Sequence, residues 1–371
     1  MRIIIVGAGI IGAALADRLV HDDLAAASRV RVTVIDDRPP GSGTSGTSLA
    51  WLNANDPSDP AYHALRVAAL QTWQELATGF GGPAWYRPVG NITWAVDADA
   101  RERLTGRVAA LNALGYPARF LTGAQLQQQE PGVRAPGQDA VIARFSGEGY
   151  VDGAPAVRAL LDRAGATMVN DQVVRLTSRG GRVTGVRLAS GRSLTADLTV
   201  CAAGWRSPAL LATIGVPLAL TDAAQPRSPA PCLVATTTPG PAVLNGGLHT
   251  PDLCLRPAYG QRLLLEADDL DTVIDMQTPQ PQLDDLAAGL LDRARRLLPG
   301  LKTQVSRARR CIRPLPADGL PLVGRQQEGL YTVVTHSGMT LGPHLARLIG
   351  REVLYDETAA ALASYHPGRK T

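Results

Sequence analysis

The 371-residue sequence has few of the features that define several protein classes. Its four cysteines, Cys201, Cys232, Cys254 and Cys311, show no paired spacing, which argues against a disulfide framework and against a zinc site. No apolar run approaches the length of a membrane span, and the apolar N-terminal segment contains glycines and no cleavage site. We therefore expect a cytoplasmic protein with no membrane span and no bound metal.

Lysine and aromatic residues are also scarce. The formal net charge of +4 comes almost entirely from arginine, because the only lysines are Lys302 and Lys370. Arg307, Arg309 and Arg310 form a tight basic cluster, and no aromatic residues are interleaved with it. This pattern indicates a solvated face, so we expect no nucleic-acid partner.

Low-complexity runs and internal repeats are absent as well. Hydrophobic residues make up 45% of the sequence, which is typical of a fully folded globular protein. A chain of 371 residues is longer than a single hydrophobic core usually supports. The sequence therefore predicts two lobes.

The strongest motif lies in the first fourteen residues, MRIIIVGAGIIGAA. A buried strand is predicted from Ile3 to Val6, and a helix is predicted from about Ile10 to Val20. Between them, Gly7 allows a tight turn, Gly9 lets the backbone approach a pyrophosphate, and Gly12 lets the helix pack close to the sheet. Phosphates would lie at the positive end of this helix. The spacing predicts a dinucleotide-binding site.

A second predicted strand, Arg31 to Ile35, ends in Asp36 and Asp37. A carboxylate at this position can accept hydrogen bonds from a ribose diol. Both NAD and FAD sites use such an acid, so this motif alone does not choose the cofactor.

Segments farther along the chain extend the pattern. Residues 166–204 contain three short β-rich runs, which Gly180-Gly181 and Gly191 separate, and then an apolar strand that enters Ala202-Ala203-Gly204. Near the C-terminus, a further strand turns through Ser337-Gly338 into a helix. The anchors of a family resemblance are GAGIIG (residues 7–12), Thr47-Ser48, Val151-Asp152-Gly153, CAAGW (201–205), RPLPADG (313–319) and HSGMTLGP (336–343).

With these anchors the chain resembles the D-amino-acid oxidase superfamily of FAD enzymes, particularly glycine oxidase, monomeric sarcosine oxidase and bacterial D-amino-acid dehydrogenases. The resemblance implies an α/β fold of two lobes, in which a β-sheet-based substrate-binding domain is inserted into a Rossmann-like FAD-binding domain. The implied FAD-binding domain comprises residues 1–80, 148–212 and 306–371. The implied substrate-binding domain comprises residues 81–147 and 213–305.

The motif and the resemblance together assign the FAD contacts. In this family the strand near Val173 lies by the adenine, Ala203 and Gly204 pass close to the cofactor, and the turn before the last helix faces the flavin. The predicted cofactor-binding residues are Gly7, Gly9, Ile11, Gly12, Asp36, Asp37, Arg38, Thr47, Ser48, Val173, Ala203, Gly204, Cys311, Ser337, Gly338, Met339 and Thr340.

Cys311 leaves two modes of FAD attachment open. It occupies the position at which sarcosine oxidase carries the cysteine that is bonded to the flavin. Arg313-Pro314, however, follows the branch that binds FAD without a covalent bond. We favour non-covalent binding and keep a covalent link through Cys311 as the alternative.

Two residues are predicted to act on the substrate. The resemblance implies that Arg313 binds a substrate carboxylate with its guanidinium fork; the alternative is that it braces its loop by pairing with Asp318. His336 is a candidate catalytic group or a structural histidine. Sarcosine oxidase has a histidine and a lysine where this chain has Ser337 and Thr340, which favours the mode that uses Arg313.

The electron acceptor is O2 or another acceptor. Sarcosine-type oxidases activate oxygen with a lysine in a strand that corresponds here to Arg262–Glu266, where the matching position is leucine. Arg256, Arg262 or His249 could supply a positive charge instead, so a dehydrogenase is only modestly favoured. Trp51, Asn53 and Asn55 could form a wall over the flavin, and His249 and Tyr259 flank a predicted strand pair in the substrate lobe. For each of them packing is favoured over catalysis.

The predicted function is oxidation of the C–N bond of a small amino acid or N-alkyl amino acid. A hydride would pass from the α-carbon to flavin N5, and water would hydrolyse the resulting imine. The alternatives are an aromatic flavin hydroxylase, which shares the FAD lobe, and a non-catalytic protein that binds FAD or NAD.

Overall fold

A computed structural model describes residues 1–22 and 30–369. Lys370 lies outside the described residues. The α-helices of the described residues are α1 (Ile10–Val20), α2 (Thr44–Thr47), α3 (Pro60–Gly79), α4 (Ala98–Ala113), α5 (Gly123–Gln129), α6 (Gly153–Ala164), α7 (Ser207–Ala212), α8 (Gln280–Leu297) and α9 (Gly338–Leu354). Short 3-10 helices comprise Gly204–Arg206, Asp268–Leu270 and Ala360–Tyr365. Among the described residues, no helix is long and apolar enough to cross a membrane.

The β-strands form two large and two small sheets. They are β1 (Arg2–Val6), β2 (Arg31–Asp36), β3 (Trp51–Leu52), β4 (Tyr86–Arg87), β5 (Asn91–Ala95), β6 (Ala118–Leu121), β7 (Val141–Phe145), β8 (Gly149–Val151), β9 (Thr167–Asn170), β10 (Val173–Arg179), β11 (Arg182–Leu188), β12 (Ser193–Thr195), β13 (Leu198–Cys201), β14 (Pro231–Thr237), β15 (Gly247–His249), β16 (Cys254–Ala258), β17 (Arg262–Glu266), β18 (Val305–Ile312), β19 (Leu322–Gln327) and β20 (Leu330–Val334).

A six-stranded sheet forms the first lobe, in the order β19-β20-β13-β1-β2-β9. Strand β1 runs parallel to β2 and β13, and β13 runs parallel to β20. The carboxyl ends of these strands therefore lie at one edge of the sheet, as in other doubly wound folds. This edge brings together the loops after Val6, Asp36, Cys201 and Val334, which are far apart in the sequence.

An eight-stranded sheet forms the second lobe, in the order β18-β14-β17-β16-β15-β5-β7-β6. Its pairs are antiparallel except for β15 with β5. Helix α8 buries one apolar face, which includes Leu283, Leu290 and Leu291, in a core separate from that of the first lobe. The predicted fold of two lobes is thereby confirmed.

Two details differ from the sequence-based expectation. The first of the three predicted β-rich runs is two strands, β9 and β10, because the chain turns at Asp171 and Gln172 and passes from the six-stranded sheet to a three-stranded one. Strand β18 pairs with β14 in the second lobe, whereas the predicted boundary at residue 306 assigns it to the first. Sheet pairing favours a boundary after Ile312; the other domain boundaries stay predictions.

Candidate active site

A cavity of about 600 Å³ lies at the carboxyl edge of the six-stranded sheet and extends to residues of the second lobe. Many of the predicted site residues line it, although they come from segments throughout the chain. They are Gly7, Gly9, Ile11, Asp36, Arg38, Ser48, Ala203, Gly204, Cys311, Arg313, His336, Ser337, Gly338, Met339 and Thr340. Four predicted residues, Gly12, Asp37, Thr47 and Val173, are not part of this lining.

The glycine turn leaves no room for side chains. Gly7 has φ +110°, and a Cβ there would lie 2.4 Å from the carbonyl oxygen of Ala202. A Cβ on Gly12 would lie 1.9 Å from the carbonyl oxygen of Gly7. Gly12 therefore lies behind the turn and serves the close packing of α1 on β1.

The N-terminus of α1 opens toward the cavity. Gly9 caps this helix without a side-chain hydrogen bond, and the first turn contains no acidic residue. The Ile10 N–H donates to Ser45 Oγ over 3.0 Å. The positive end of the helix is thus not neutralised by a carboxylate of its own first turn, which suits a bound anion.

Of the two predicted ribose acids, only Asp36 lines the cavity. Its carboxylate accepts hydrogen bonds from the backbone N–H groups of Ala8 (2.8 Å) and Arg38 (3.0 Å), and burial raises its pKa. Asp37 points elsewhere and pairs with Arg206, with 3.1 Å between Arg206 Nη1 and Asp37 Oδ2.

Two buried hydroxyl groups on the cavity wall lack hydrogen-bond partners among the described residues. These are the Oγ atoms of Ser42 and Ser48, in the segment that follows β2. Buried hydroxyls are normally hydrogen-bonded, so their isolation points to a polar ligand. The sequence analysis missed Ser42, whose place in the small-residue run GSGTSGTS could have indicated it.

One wall of the cavity contains a tilted pair of rings, Trp51 and His249, with centroids 3.7 Å apart and planes inclined by 31°. Asn53 also lines this wall. The accessible surface of His249 faces the cavity rather than bulk solvent, so desolvation by the surrounding protein lowers its pKa to about 3. The imidazole is therefore neutral at physiological pH.

Glu148 holds Trp51 in place from behind. Its side chain is fully buried and accepts hydrogen bonds from Trp51 Nε1 (3.0 Å), Asn55 Nδ2 (3.3 Å), the Tyr116 hydroxyl (2.9 Å) and the Ala54 N–H (3.4 Å). Burial raises its pKa to about 8. Sequence reasoning missed Glu148, because its partners come from distant segments and form no local motif.

Two other candidate residues do not line the cavity. Asn55 is buried against Glu148, and Tyr259 is 68% exposed in the turn between β16 and β17. The prediction that Asn55 could form the cavity wall is therefore wrong, whereas Tyr259 lies beside the predicted strand pair.

Arg313 lines the cavity and makes two short ion pairs. Its Nη2 lies 2.6 Å from Glu266 Oε1, and its Nη1 lies 2.6 Å from Asp271 Oδ2. The alternative pairing with Asp318 is wrong, because Asp318 pairs with Arg369 at 2.8 Å. A ligand that binds Arg313 must therefore share the guanidinium with two carboxylates.

His336 and the residues that follow it form the turn from β20 into α9. Desolvation within the cavity, followed by the nearby charge of Arg313, lowers the pKa of His336 to about 4. The Ser337 hydroxyl accepts a hydrogen bond from the Tyr62 hydroxyl over 2.9 Å. His336 is thus a neutral imidazole and a weak base.

None of the three candidate residues for oxygen activation brings a positive charge to the cavity. Arg256 Nη1 is 2.9 Å from Asp152 Oδ1, and Arg256 is buried among backbone carbonyls. Arg262 donates to the Thr237 carbonyl and lines a different pocket. His249 lines the cavity but is neutral.

A doubly wound sheet with a glycine turn at its carboxyl edge, and a cavity that extends to a second lobe, are the features of a two-lobe dinucleotide-binding protein. The chain belongs to the DAO family of FAD-dependent oxidoreductases, whose family model matches residues 2–352.

Similar proteins span the whole chain. A relative described as the uncharacterized oxidoreductase YurR of Bacillus subtilis (strain 168) is 28% identical, and the alignment covers 98% of each chain. The crystal structure of glycine oxidase from Geobacillus kaustophilus superimposes with a TM-score of 0.82 at 23% identity, covering 100% of this chain and 99% of that chain. The crystal structure of L-proline dehydrogenase from P. horikoshii gives a TM-score of 0.80 at 17% identity, covering 99% and 96%.

FAD is therefore the cofactor of this protein, and the residues at the carboxyl edge fit it. The glycine turn lets a ligand approach the backbone where a side chain would block it. Asp36 lines the cavity next to this turn. The hydroxyls of Ser42 and Ser48 have no hydrogen-bond partner among the described residues. The individual FAD contacts, including Val173 at the adenine, stay predictions.

Proposed function

We propose that this protein oxidises the C–N bond of a small amino acid or N-alkyl amino acid to an imine, which water then hydrolyses. When bound, FAD supplies the hydride acceptor at N5. The observation that carries the proposal is the continuity of the cavity, which is lined by both the glycine turn and Arg313. A proline dehydrogenase and a glycine oxidase are among the proteins of similar fold, and both named substrates are amino acids.

The chain's own residues would bind and orient the substrate. Arg313 would hold the carboxylate, since a guanidinium can donate two charge-assisted hydrogen bonds. Because its pKa is lowered to about 4, His336 suits a hydrogen bond to the substrate better than proton abstraction. The substrate amine would arrive unprotonated, and the ring pair of Trp51 and His249 would exclude water from one side.

Product analysis tests this proposal against its rivals. The holoenzyme is incubated with an amino acid panel and an artificial electron acceptor, and ammonia or alkylamine is measured together with the carbonyl product. Equal amounts of the two support C–N oxidation. An aromatic hydroxylase would instead give a hydroxylated ring and require NADPH and O2, and a non-catalytic protein would give no product.

We also propose that electrons leave FAD to an acceptor other than O2. Among the described residues no lysine lines the cavity, and Lys302 lies exposed in the loop after α8. Oxygen would therefore meet fewer fixed positive charges here than in lysine-containing oxidases. Reoxidation of the reduced enzyme that is faster with a quinone than with air-saturated buffer would support this proposal, and the reverse order would refute it.

Non-covalent attachment of FAD is a further proposal. Cys311 lies opposite Cys232 in the antiparallel pair of β14 and β18, and both side chains are buried. Arg313-Pro314, two residues farther along, follows the branch of the family that binds FAD without a covalent bond. Acid precipitation should leave all flavin in the supernatant. Flavin that remains with the precipitate, and is lost from it in Cys311→Ser, would establish the covalent alternative.

Replacing Arg313 with leucine tests the carboxylate role. We expect KM for a carboxylate substrate to rise about 30-fold or more, since loss of a buried charge-assisted contact costs roughly 2–5 kcal/mol. FAD content should be unchanged. The control is Arg307→Leu, which removes an exposed arginine of β18 and should leave KM unaltered. An unchanged KM in Arg313→Leu would remove this residue from the substrate site.

A further inference from the structure

Two carboxylates pair with Arg313 where β17 ends, and a third lies near one of them. Glu266 and Asp268 line the cavity, and Asp271 follows one turn later. Arg313 ion-pairs with Glu266 and Asp271. When ionised, three carboxylates against one guanidinium leave two negative charges uncompensated. We call Glu266, Asp268 and Asp271 the acidic corner.

Asp271 has an unused hydrogen-bond acceptor inside this corner. The residue is 7% exposed, its Oδ2 bonds Arg313, and its buried Oδ1 has no partner among the described residues. A carboxylate oxygen of Asp271 lies within 4.8 Å of both Glu266 and the Cys232 thiol, which line the cavity. An isolated buried carboxylate oxygen is costly, so a donor is expected to meet it.

Asp268 is the accessible member of the corner. It is exposed at the start of the 3-10 helix Asp268–Leu270, and its carboxylate has no hydrogen bond or ion pair within residues 1–22 and 30–369. Asp269, the next residue, turns away and pairs with Arg293 at 2.6 Å. Asp268 is therefore free to meet a ligand in the cavity.

Other titratable groups on the cavity wall do not offset this charge. His249 and His336 are neutral, and Arg38 lies beside Asp36 and Asp37 at the cofactor turn. In the proposed reaction the α-amine is also neutral, and the substrate carboxylate adds another negative charge beside Arg313. A substrate with no second positive group would therefore bind against electrostatic repulsion.

We propose that the acidic corner binds a second cationic nitrogen of the substrate, an ammonium or guanidinium group. The inference rests on the proposed C–N oxidation and narrows its substrate to basic amino acids or diamines. Such a group provides several N–H donors for the carboxylates of Asp268 and Glu266, which line the cavity. A metal ion suits the corner less well, because the guanidinium of Arg313 already occupies both Glu266 and Asp271.

The test uses matched pairs of substrates with the FAD-loaded enzyme. Anaerobic flavin reduction is measured with both enantiomers of lysine against norleucine and of arginine against citrulline, and with cadaverine against pentylamine. Each pair differs in one cationic group. We expect the cationic member to have a second-order rate constant for reduction at least about ten-fold higher. Comparison of lysine with cadaverine shows whether the substrate also needs a carboxylate.

Variants of Asp268 assign the preference to the corner. Because this carboxylate is exposed and unpaired, Asp268→Asn should fold normally and reduce the rate constant for the cationic member about five-fold. Asp268→Lys should lower the rate constant for the cationic member further than Asp268→Asn does, and should raise that for the neutral amino acid, because it relieves the repulsion of the substrate carboxylate. Asp269→Asn, in the same short helix but directed at Arg293, is the matched control and should keep the wild-type preference.

The possible outcomes separate the two proposals. Neutral substrates that reduce the flavin as fast as their cationic partners would overturn the cation site and leave C–N oxidation standing. A preference for the cationic member that is unchanged in Asp268→Lys would likewise overturn the cation site and leave C–N oxidation standing. If no member of these pairs reduces the flavin, the cation site is overturned, and C–N oxidation is then decided by the wider panel of amino acids and N-methyl amino acids.

Discussion

The Gly12→Ala variant is expected to be purified without FAD. The new Cβ would lie 1.9 Å from the carbonyl oxygen of Gly7 and 3.3 Å from the side chain of Ile5. The first of these distances is far below any van der Waals contact, so α1 must move away from β1 or the turn must change shape. Either shift moves the backbone at Gly7 and Gly9 away from the position that a pyrophosphate needs.

The measurement is the ratio of flavin absorbance to protein absorbance after purification, together with circular dichroism to establish that the variant is folded. Gly106→Ala is the control, because Gly106 lies inside α4 with open space around it. That substitution should keep full FAD content and stabilise the protein by roughly 0.5–1 kcal/mol. Full FAD content in Gly12→Ala would mean that the glycine turn is not the cofactor site.

Glu148→Ala should lower the free energy of unfolding by about 4 kcal/mol. The substitution leaves four donors without an acceptor, including the indole N–H of Trp51 and the hydroxyl of Tyr116. Each buried donor that loses its partner costs roughly 1–3 kcal/mol. Trp51 also loses the contact that orients it against His249, so the cavity wall loosens at the same time.

Urea unfolding followed by tryptophan fluorescence measures this loss. Glu148→Gln is the graded variant: its amide keeps one acceptor oxygen, so about half of the loss is expected. Glu102→Ala removes an exposed acid of α4 and should change stability by less than about 0.5 kcal/mol. A Glu148→Ala protein as stable as Glu102→Ala would show that the hydrogen bonds to Glu148 contribute little.

The cofactor half of the site could be predicted because its signals are local or carried by short motifs. The turn at Gly7 to Gly12 follows β1 directly, and Asp36 stands at the end of the next strand. Parallel strands then bring distant loops to one edge, so even His336 and Ala203 meet the same cavity. Sequence distance does not matter once the order of the strands is known.

The substrate half could not be predicted in the same way. The partners of Arg313 come from β17 and the residues after it, 47 and 42 positions away, and nothing local to RPLPADG indicates them. Glu148 likewise collects donors from two separate segments, residues 51–55 and Tyr116. Such contacts depend on how the second sheet packs against the first, and side-chain patterns along one strand do not report that packing.

The proposed function requires that a bound amine reduces the FAD of this protein. We would record the visible spectrum of the purified protein under anaerobic conditions, before and after adding a pooled panel of amino acids and N-methyl amino acids that includes the basic ones. Loss of the oxidised flavin band within the pool is the predicted result, and dividing the pool would then identify the substrate. A flavin that stays oxidised with every member, while dithionite still reduces it, would contradict the claim.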